Sequence, residues 1–211
     1  MKDDYSLVVF DMDGVLVDIN SSWYYVHKKF GVDSSTNFNN YLNREIDYTE
    51  FMRRDIRLWG KCHITDIQNI LNNIPLMKGS KEMAQELKNK GYKLAIISAG
   101  IFSLAERVNN ELNFDYVFAN QLCTDENEFL TGEGIAMVNL MSKDATFKKL
   151  IEVANVTADQ CVSIGDSRFD IPIFKLVGLS IAFNTSDEIT KQAADKSVEA
   201  KDLRAILPLL D

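Results

Sequence analysis

Positive charge is in short supply in this chain: 23 Lys and Arg stand against 31 Asp and Glu, a formal net charge of −8. Nucleic acid and anionic membrane both call for clustered basic residues, so neither is the expected partner. Cysteine is scarce and odd in number, and Cys62, Cys123 and Cys161 lie far apart with no Cys-x-x-Cys pair. That pattern reads as reduced thiols packed as small hydrophobes, not as a disulfide framework. No apolar run approaches the roughly 20 residues that cross a bilayer. The acidic start, Met1-Lys-Asp-Asp-Tyr5, runs into an apolar stretch without the features of a secretory signal. Internal repeats and low-complexity tracts are missing as well. The expectation is a cytoplasmic protein, monomer or homodimer, whose ligand is a small molecule.

What is present is an alternation. Short apolar runs at Leu7–Phe10, Leu94–Ile97, Tyr116–Ala119, Cys161–Ile164 and Leu179–Phe183 read as strands, most buried on both faces. Helical patterns separate them: Ser80 to a closing Gly91, Ile101–Leu112, Asp144–Ala154 behind Ser142, and Ile171–Val177 with Pro172 in its first turn. Strand and helix alternating in this way predict an α/β fold, a Rossmann-like parallel sheet with helices on both faces. The interval 18–77 breaks the rhythm, with helical patterns at Ser22–Phe30, Phe38–Arg44, Tyr48–Trp59 and Thr65–Ile74, the last opened by Thr65 and Gln68 as a capping box. The expected organisation is an α/β core of residues 1–17 and 78–211 with a helical cap, 18–77, inserted after the first strand. A smaller insertion, Asn120–Met141, has the Gly and Asp content of a hairpin, so its Gly132-Glu-Gly134 is no nucleotide-binding fingerprint.

In open parallel sheets, ligands sit beyond the carboxyl ends of the strands. The first strand ends in Asp11 and Asp13, the second in Ser98-Ala99-Gly100, and the Cys161 strand in Gly165-Asp166 with Asp170 four residues on. Lys143 stands at the start of a helix, where the dipole disfavours a cation unless an anion is near. Converging carboxylates cannot all stay ionised without a counter-charge. A hard divalent cation resolves this, and an all-oxygen set suits Mg²⁺. Ser98 with the amides of Ala99 and Gly100 would cradle an anion, and Lys143 would add a point charge. These are the parts of a phosphoryl-transfer site, with Asp11 as nucleophile and Asp13 as the acid that protonates the leaving oxygen.

Four stretches carry a resemblance to a known family. "DMDGVLVD", "IISAG", the isolated Lys143 and "IGDSRFD" resemble, in order and spacing, the motifs of the haloacid-dehalogenase-like phosphatases, most closely the phosphoserine-phosphatase branch. The likeness covers essentially the whole chain, cap included. It implies that Asp11, the backbone carbonyl of Asp13, and Asp166 bind Mg²⁺, with Asp170 just behind them and Ser98 and Lys143 on the phosphate. The activity it implies is hydrolysis of a small phosphorylated metabolite through an aspartyl-phosphate.

That branch reads its substrate with a Glu soon after the first motif and an Arg in the cap. The corresponding positions here are Asn20 and Asp55, and only a slip of one residue, about 100° around a helix, would substitute Arg54. Asp55 falls on an apolar stripe with Tyr48, Phe51, Met52 and Trp59. An acid there either pairs with a base such as Lys61 or Arg44 or points into the site. Asn20, Arg54 and Asp55 are therefore the specificity candidates, while His27 and His63 read as structural or surface residues. Sugar phosphates, phosphoglycolate and phosphoamines stand as alternative substrates. A phosphomutase or phosphotransferase would use the same nucleophile. A phospho-accepting signalling domain is much shorter and lacks a cap, and a non-catalytic binding domain gains no support because no chemical position is missing.

Overall fold

Leu7-Val-Val-Phe10 is wholly apolar because both of its faces are covered: it is strand β1, buried along its length in the middle of a seven-stranded sheet. The computed structural model describes residues 5–210, so the outermost ends of the expected core, 1–4 and 211, lie outside the described residues. After β1 (Leu7–Phe10) come four helices, α1 (Ser22–Phe30), α2 (Ser35–Leu42), α3 (Tyr48–Arg57) and α4 (Ile64–Leu71). Alternation then begins with α5 (Ser80–Asn89), β2 (Lys93–Ile101), α6 (Phe102–Leu112), β3 (Tyr116–Thr124) and β4 (Leu130–Ile135). It continues through α7 (Lys143–Ala154), β5 (Cys161–Gly165), α8 (Ile171–Phe174), β6 (Leu179–Phe183), α9 (Glu188–Ala193) and β7 (Lys196–Val198). A 3₁₀ helix, Leu203–Leu209, closes the described chain.

The sheet order is β4-β3-β2-β1-β5-β6-β7, parallel throughout except for the β3–β4 hairpin. In register, Phe10 of β1 lies opposite Ile96 on one side and Ile164 on the other, so the carboxyl ends of β1 and β5 finish within one residue of each other while β2 runs on past them. The chain leaves β1 toward β2 on one side and returns to β5 on the other. This is the switch point of a doubly wound sheet, where a crevice opens.

Successive β1 side chains alternate between two apolar clusters: Val8 and Phe10 belong to one, Leu7 and Val9 to the other. The segment between β1 and α5 contributes to both. Val26, Ile56, Trp59, Ile67, Leu71 and Ile74 join the first, and Tyr41, Tyr48 and Met52 the second. A fully buried side chain of this kind contributes roughly 1.5–3 kcal/mol. The four helices are therefore packed onto the sheet rather than tethered beside it.

Several boundaries differ from the sequence reading. Strand β2 runs on through Ser98 to Ile101, with an irregularity before Ile101 pairs with Asn120 of β3. Helix α4 starts at Ile64, not Thr65, and its capping box is His63 with Asp66 in place of Thr65 with Gln68. Helix α2 opens earlier, at Ser35, beside an Asp33 carboxylate that accepts from the Ser35 amide and hydroxyl. Strand β7, three residues at the sheet edge, went unread because Lys196-Ser-Val198 carries no apolar run.

Candidate active site

Asp11 follows β1 directly, its amide still donating to Ile164 of β5 as though the strand went on. The chain then turns at Gly14, whose φ of +79° suits glycine. A Cβ at Gly14 would also collide with the Asp166 carboxylate, so glycine here lets two motif segments touch.

Lys143, the first residue of α7, is 1% exposed, and its Nζ donates to Asp11 Oδ2 and Asp170 Oδ1, both at 2.7 Å. Burial alone would lower the Lys143 pKa, but the two carboxylates outweigh it and hold the ammonium well above its usual range. Asp170 is fixed from behind by the Ser167 amide (3.1 Å) and hydroxyl (3.0 Å). Burial pushes Asp11 up to about 7, against the pull of Lys143, and raises Asp166 with help from the Asp11 and Asp170 charges. Asp11, Asp166 and Asp170 can each place a carboxylate oxygen so that all lie within 4.8 Å of one another.

Asp13 is held by one oxygen only. Its Oδ2 accepts from the Ser22 amide (2.7 Å) and hydroxyl (2.8 Å) at the start of α1. Its Oδ1 is buried and has no partner. Burial raises the Asp13 pKa in spite of the Ser22 bonds. Ser22 Oγ also accepts from the Ile101 amide (3.2 Å), tying α1 to the end of β2.

The Ser98–Gly100 segment departs from expectation. Because β2 continues to Ile101 and α6 begins at Phe102, the Ala99 and Gly100 amides are not first-turn helix amides. The Gly100 amide donates to Ser98 Oγ at 3.0 Å. The Ala99 carbonyl accepts from Trp23 Nε1 (3.0 Å), Tyr48 Oη (3.2 Å) and Asn120 Nδ2 (2.9 Å). Trp23 and Asn120, like Ser22, escaped the sequence reading as site residues, and Tyr48 entered it only as a member of the apolar stripe that carries Asp55.

These groups share a cavity of about 470 Å³, within the range of small-ligand sites. Asp11, Asp13, Ser98, Ala99, Gly100, Lys143 and Asp166 line one end, and Asn20 and Asp55 also line it. Arg54 does not: it pairs with Glu50 at 2.8 Å on the outer face of α3. Asp55 is 2% exposed and pairs with neither Lys61 nor Arg44. Its Oδ2 meets His27 Nε2 at 3.0 Å, and its Oδ1 accepts from Asn37 Nδ2 at 2.8 Å. His27, expected to be merely structural or on the surface, is buried and lines the cavity as well. His63 caps α4 away from it.

Two acid-bearing strand ends, a buried lysine and a doubly wound sheet with helices inserted after β1 define a hydrolase of the haloacid dehalogenase type. The sequence profile of the haloacid dehalogenase-like hydrolases matches residues 5–178, and the chain belongs to that family. It is an enzyme, a phosphatase of phosphoserine-phosphatase-like type.

Among its relatives, the phosphoserine phosphatase of Methanocaldococcus jannaschii is 29% identical over 98% of both chains. That of Idiomarina loihiensis is 30% identical over all of this chain and 96% of its own. A substrate-bound phosphoserine phosphatase complex superposes with a TM-score of 0.83 at 27% identity, over 98% of this chain and 99% of that one. A phospho-aspartyl intermediate analogue of phosphoserine phosphatase gives 0.84 at 28%, over 99% and 100%.

Proposed function

We propose that the chain is a cytoplasmic, Mg²⁺-dependent phosphomonoesterase that hydrolyses a small phosphorylated metabolite through a phosphate ester on Asp11. The observation that carries this reading is the meeting of Lys143 with Asp11 and Asp170 opposite an unpartnered Asp13 oxygen. One group is held to attack and another is left free to move a proton.

The acid cluster fits a metal on its chemistry. Four carboxyl groups, Asp11 and Asp170 buried and Asp13 and Asp166 half-buried, surround one ammonium, so acids outnumber cations at the site, and its donors are all oxygen. Asp11, Asp166 and the backbone carbonyl of Asp13 would hold Mg²⁺, with Asp170 behind them. An ion bound there would neutralise the acids and the phosphate oxygens that Asp11 must approach.

The chain's own groups do the rest. Lys143 keeps one Asp11 oxygen in place and offers its charge to the phosphate, and Ser98 lines the same cavity. Asp11 attacks phosphorus. Asp13, whose burial favours the protonated form, gives its proton to the leaving oxygen through Oδ1. It then takes a proton from the water that cleaves the aspartyl-phosphate. Residues 18–77 act as a cap over the core of 1–17 and 78–211, and closure excludes bulk water from the ester.

The test is Asp11→Asn with p-nitrophenyl phosphate and Mg²⁺. The variant is expected to fold with an unchanged far-UV circular dichroism spectrum and to lose turnover by about 10³-fold or more. Near-normal activity would remove the mechanism.

A further inference from the structure

Part of the cavity wall is built around an acid, Asp55, that among the described residues meets no Lys or Arg. Asp55 has two close partners, the Asn37 amide and His27. The state of His27 follows from its other neighbour: Trp59 Nε1 lies 2.9 Å from His27 Nδ1. An indole N–H can only donate, so Nδ1 must be the bare acceptor, and the one ring proton sits on Nε2, aimed at Asp55. The imidazole is therefore neutral. Both Asp55 oxygens are thus met by neutral donors, with no cationic side chain at the carboxylate, at 2% exposure.

Its surroundings suit a cation. Trp23, Phe38, Tyr48 and Phe51 line the same cavity, and Trp23 is braced by stacking on Trp59 at 5.5 Å. Asp33 adds a second acid at the wall, with its carboxyl kept below the usual range by the Ser35 amide and hydroxyl. Among the described residues that line the cavity, Lys143 is the sole Lys or Arg, and it is taken by Asp11 and Asp170. The arginines of α3 are spent outside: Arg53 and Arg57 on Glu133, Arg54 on Glu50. A carboxylate on the leaving group would find no counter-charge here and would face Asp55.

We infer that the natural substrate is the phosphate monoester of a small amino alcohol without a carboxylate, its ammonium group received by Asp55 among the aromatic side chains. This rests on the phosphatase reading above and adds the identity of the leaving group. His27 and Trp59 are positioning residues, holding the Asp55 carboxylate in its orientation.

Hydrolysis by the full chain with Mg²⁺ on matched esters tests it. Phosphoethanolamine is compared with its uncharged isostere 2-hydroxyethyl phosphate, and phosphocholine with 3,3-dimethylbutyl phosphate. O-phospho-L-serine is run beside them, and p-nitrophenyl phosphate reports the phosphatase chemistry alone. At least one amine is expected to exceed its isostere, and to exceed O-phospho-L-serine, by about tenfold or more in kcat/KM. Asp55→Asn, which keeps the shape and removes the charge, should draw the amine-to-isostere ratio toward one. Parity between amine and isostere, or O-phospho-L-serine as the best ester, with p-nitrophenyl phosphate still hydrolysed, overturns the amino-alcohol assignment and leaves the phosphatase standing. Failure on every ester, p-nitrophenyl phosphate included, overturns both. If Asp55→Asn does not fold, the wild-type comparison decides alone.

Discussion

The backbone amide and the hydroxyl of Ser22 both close on a single carboxylate oxygen of Asp13, at 2.7 and 2.8 Å. One residue at the head of the first inserted helix thus orients the acid at the end of the first strand and leaves the other oxygen of that acid without a hydrogen-bond partner.

Ser22→Ala removes the hydroxyl bond to Asp13 and leaves the Ile101 amide, which donates to the same hydroxyl, without its acceptor. Hydrogen bonds to charged groups contribute about 1.5–3 kcal/mol, so a loss of about 2 kcal/mol in urea unfolding is expected. Because the freed carboxyl can turn away from the ester, kcat should fall by about tenfold while KM changes little. An unchanged kcat would show that Ser22 does not position Asp13.

Magnesium should stabilise the folded chain, since the acid cluster exists only there. At a hundredfold excess over its dissociation constant a ligand adds about 2.7 kcal/mol. In a domain of this size that raises Tm by roughly 5 °C or more. The comparison is a thermal melt in Mg²⁺ against one in chelator. Asp166→Asn should abolish most of the difference, and its persistence in that variant would place the ion elsewhere.

Arg54→Ala is expected to leave kcat/KM within about twofold for every ester, with stability reduced by no more than ~0.5 kcal/mol, because the Glu50 pair is exposed and lies on consecutive turns of α3. Measured beside Asp55→Asn, it separates two neighbouring positions that point about 100° apart around α3. Altered substrate preference in Arg54→Ala would mean that α3 presents its other face to the ligand.

Burial pushes the Cys62 thiol up to about 11, with the Asp66 charge adding to it, and burial with the Asp159 charge pushes Cys161 up to about 12. Both folded values lie above the ordinary thiol value of about 8.5. The native state therefore holds these protons longer than the unfolded chain. The stability this provides is present in full below pH ~8.5 and is lost as pH climbs through the folded values. Near pH 8 a thiol-disulfide reagent should titrate the half-buried Cys123 first and the other two only on unfolding. Three equivalent fast thiols would contradict this burial.

What could be read in advance is what local register controls. Asp11 and Asp166 each directly follow a strand, and a strand end is announced by its own apolar run. The fold, too, followed from the alternation of such runs. Boundaries slipped where a tertiary partner overrode a local signal, as when pairing with β3 kept β2 extended through Ser98–Ile101.

Asp55 was visible as an acid on an apolar stripe, yet its partner His27 lies 28 residues away and is recruited through Trp59. Nothing in the spacing of those three residues marks them as a chain of hydrogen bonds. Asn120 likewise acts through Tyr48, Ala99 and Val138, on segments that only folding brings together.

The Ala99 carbonyl receives donors from α1, α3 and β3 at once. That oxygen works as a fixed datum from which both ends of the cavity are measured, the phosphate end by the strand it belongs to and the leaving-group end by the helices that bind it. With the helices seated, the distance between the two ends is a dimension of the scaffold and does not adjust to the guest. Esters differing by a single methylene should then be told apart as by a gauge, through fit at both ends together rather than by attraction at either.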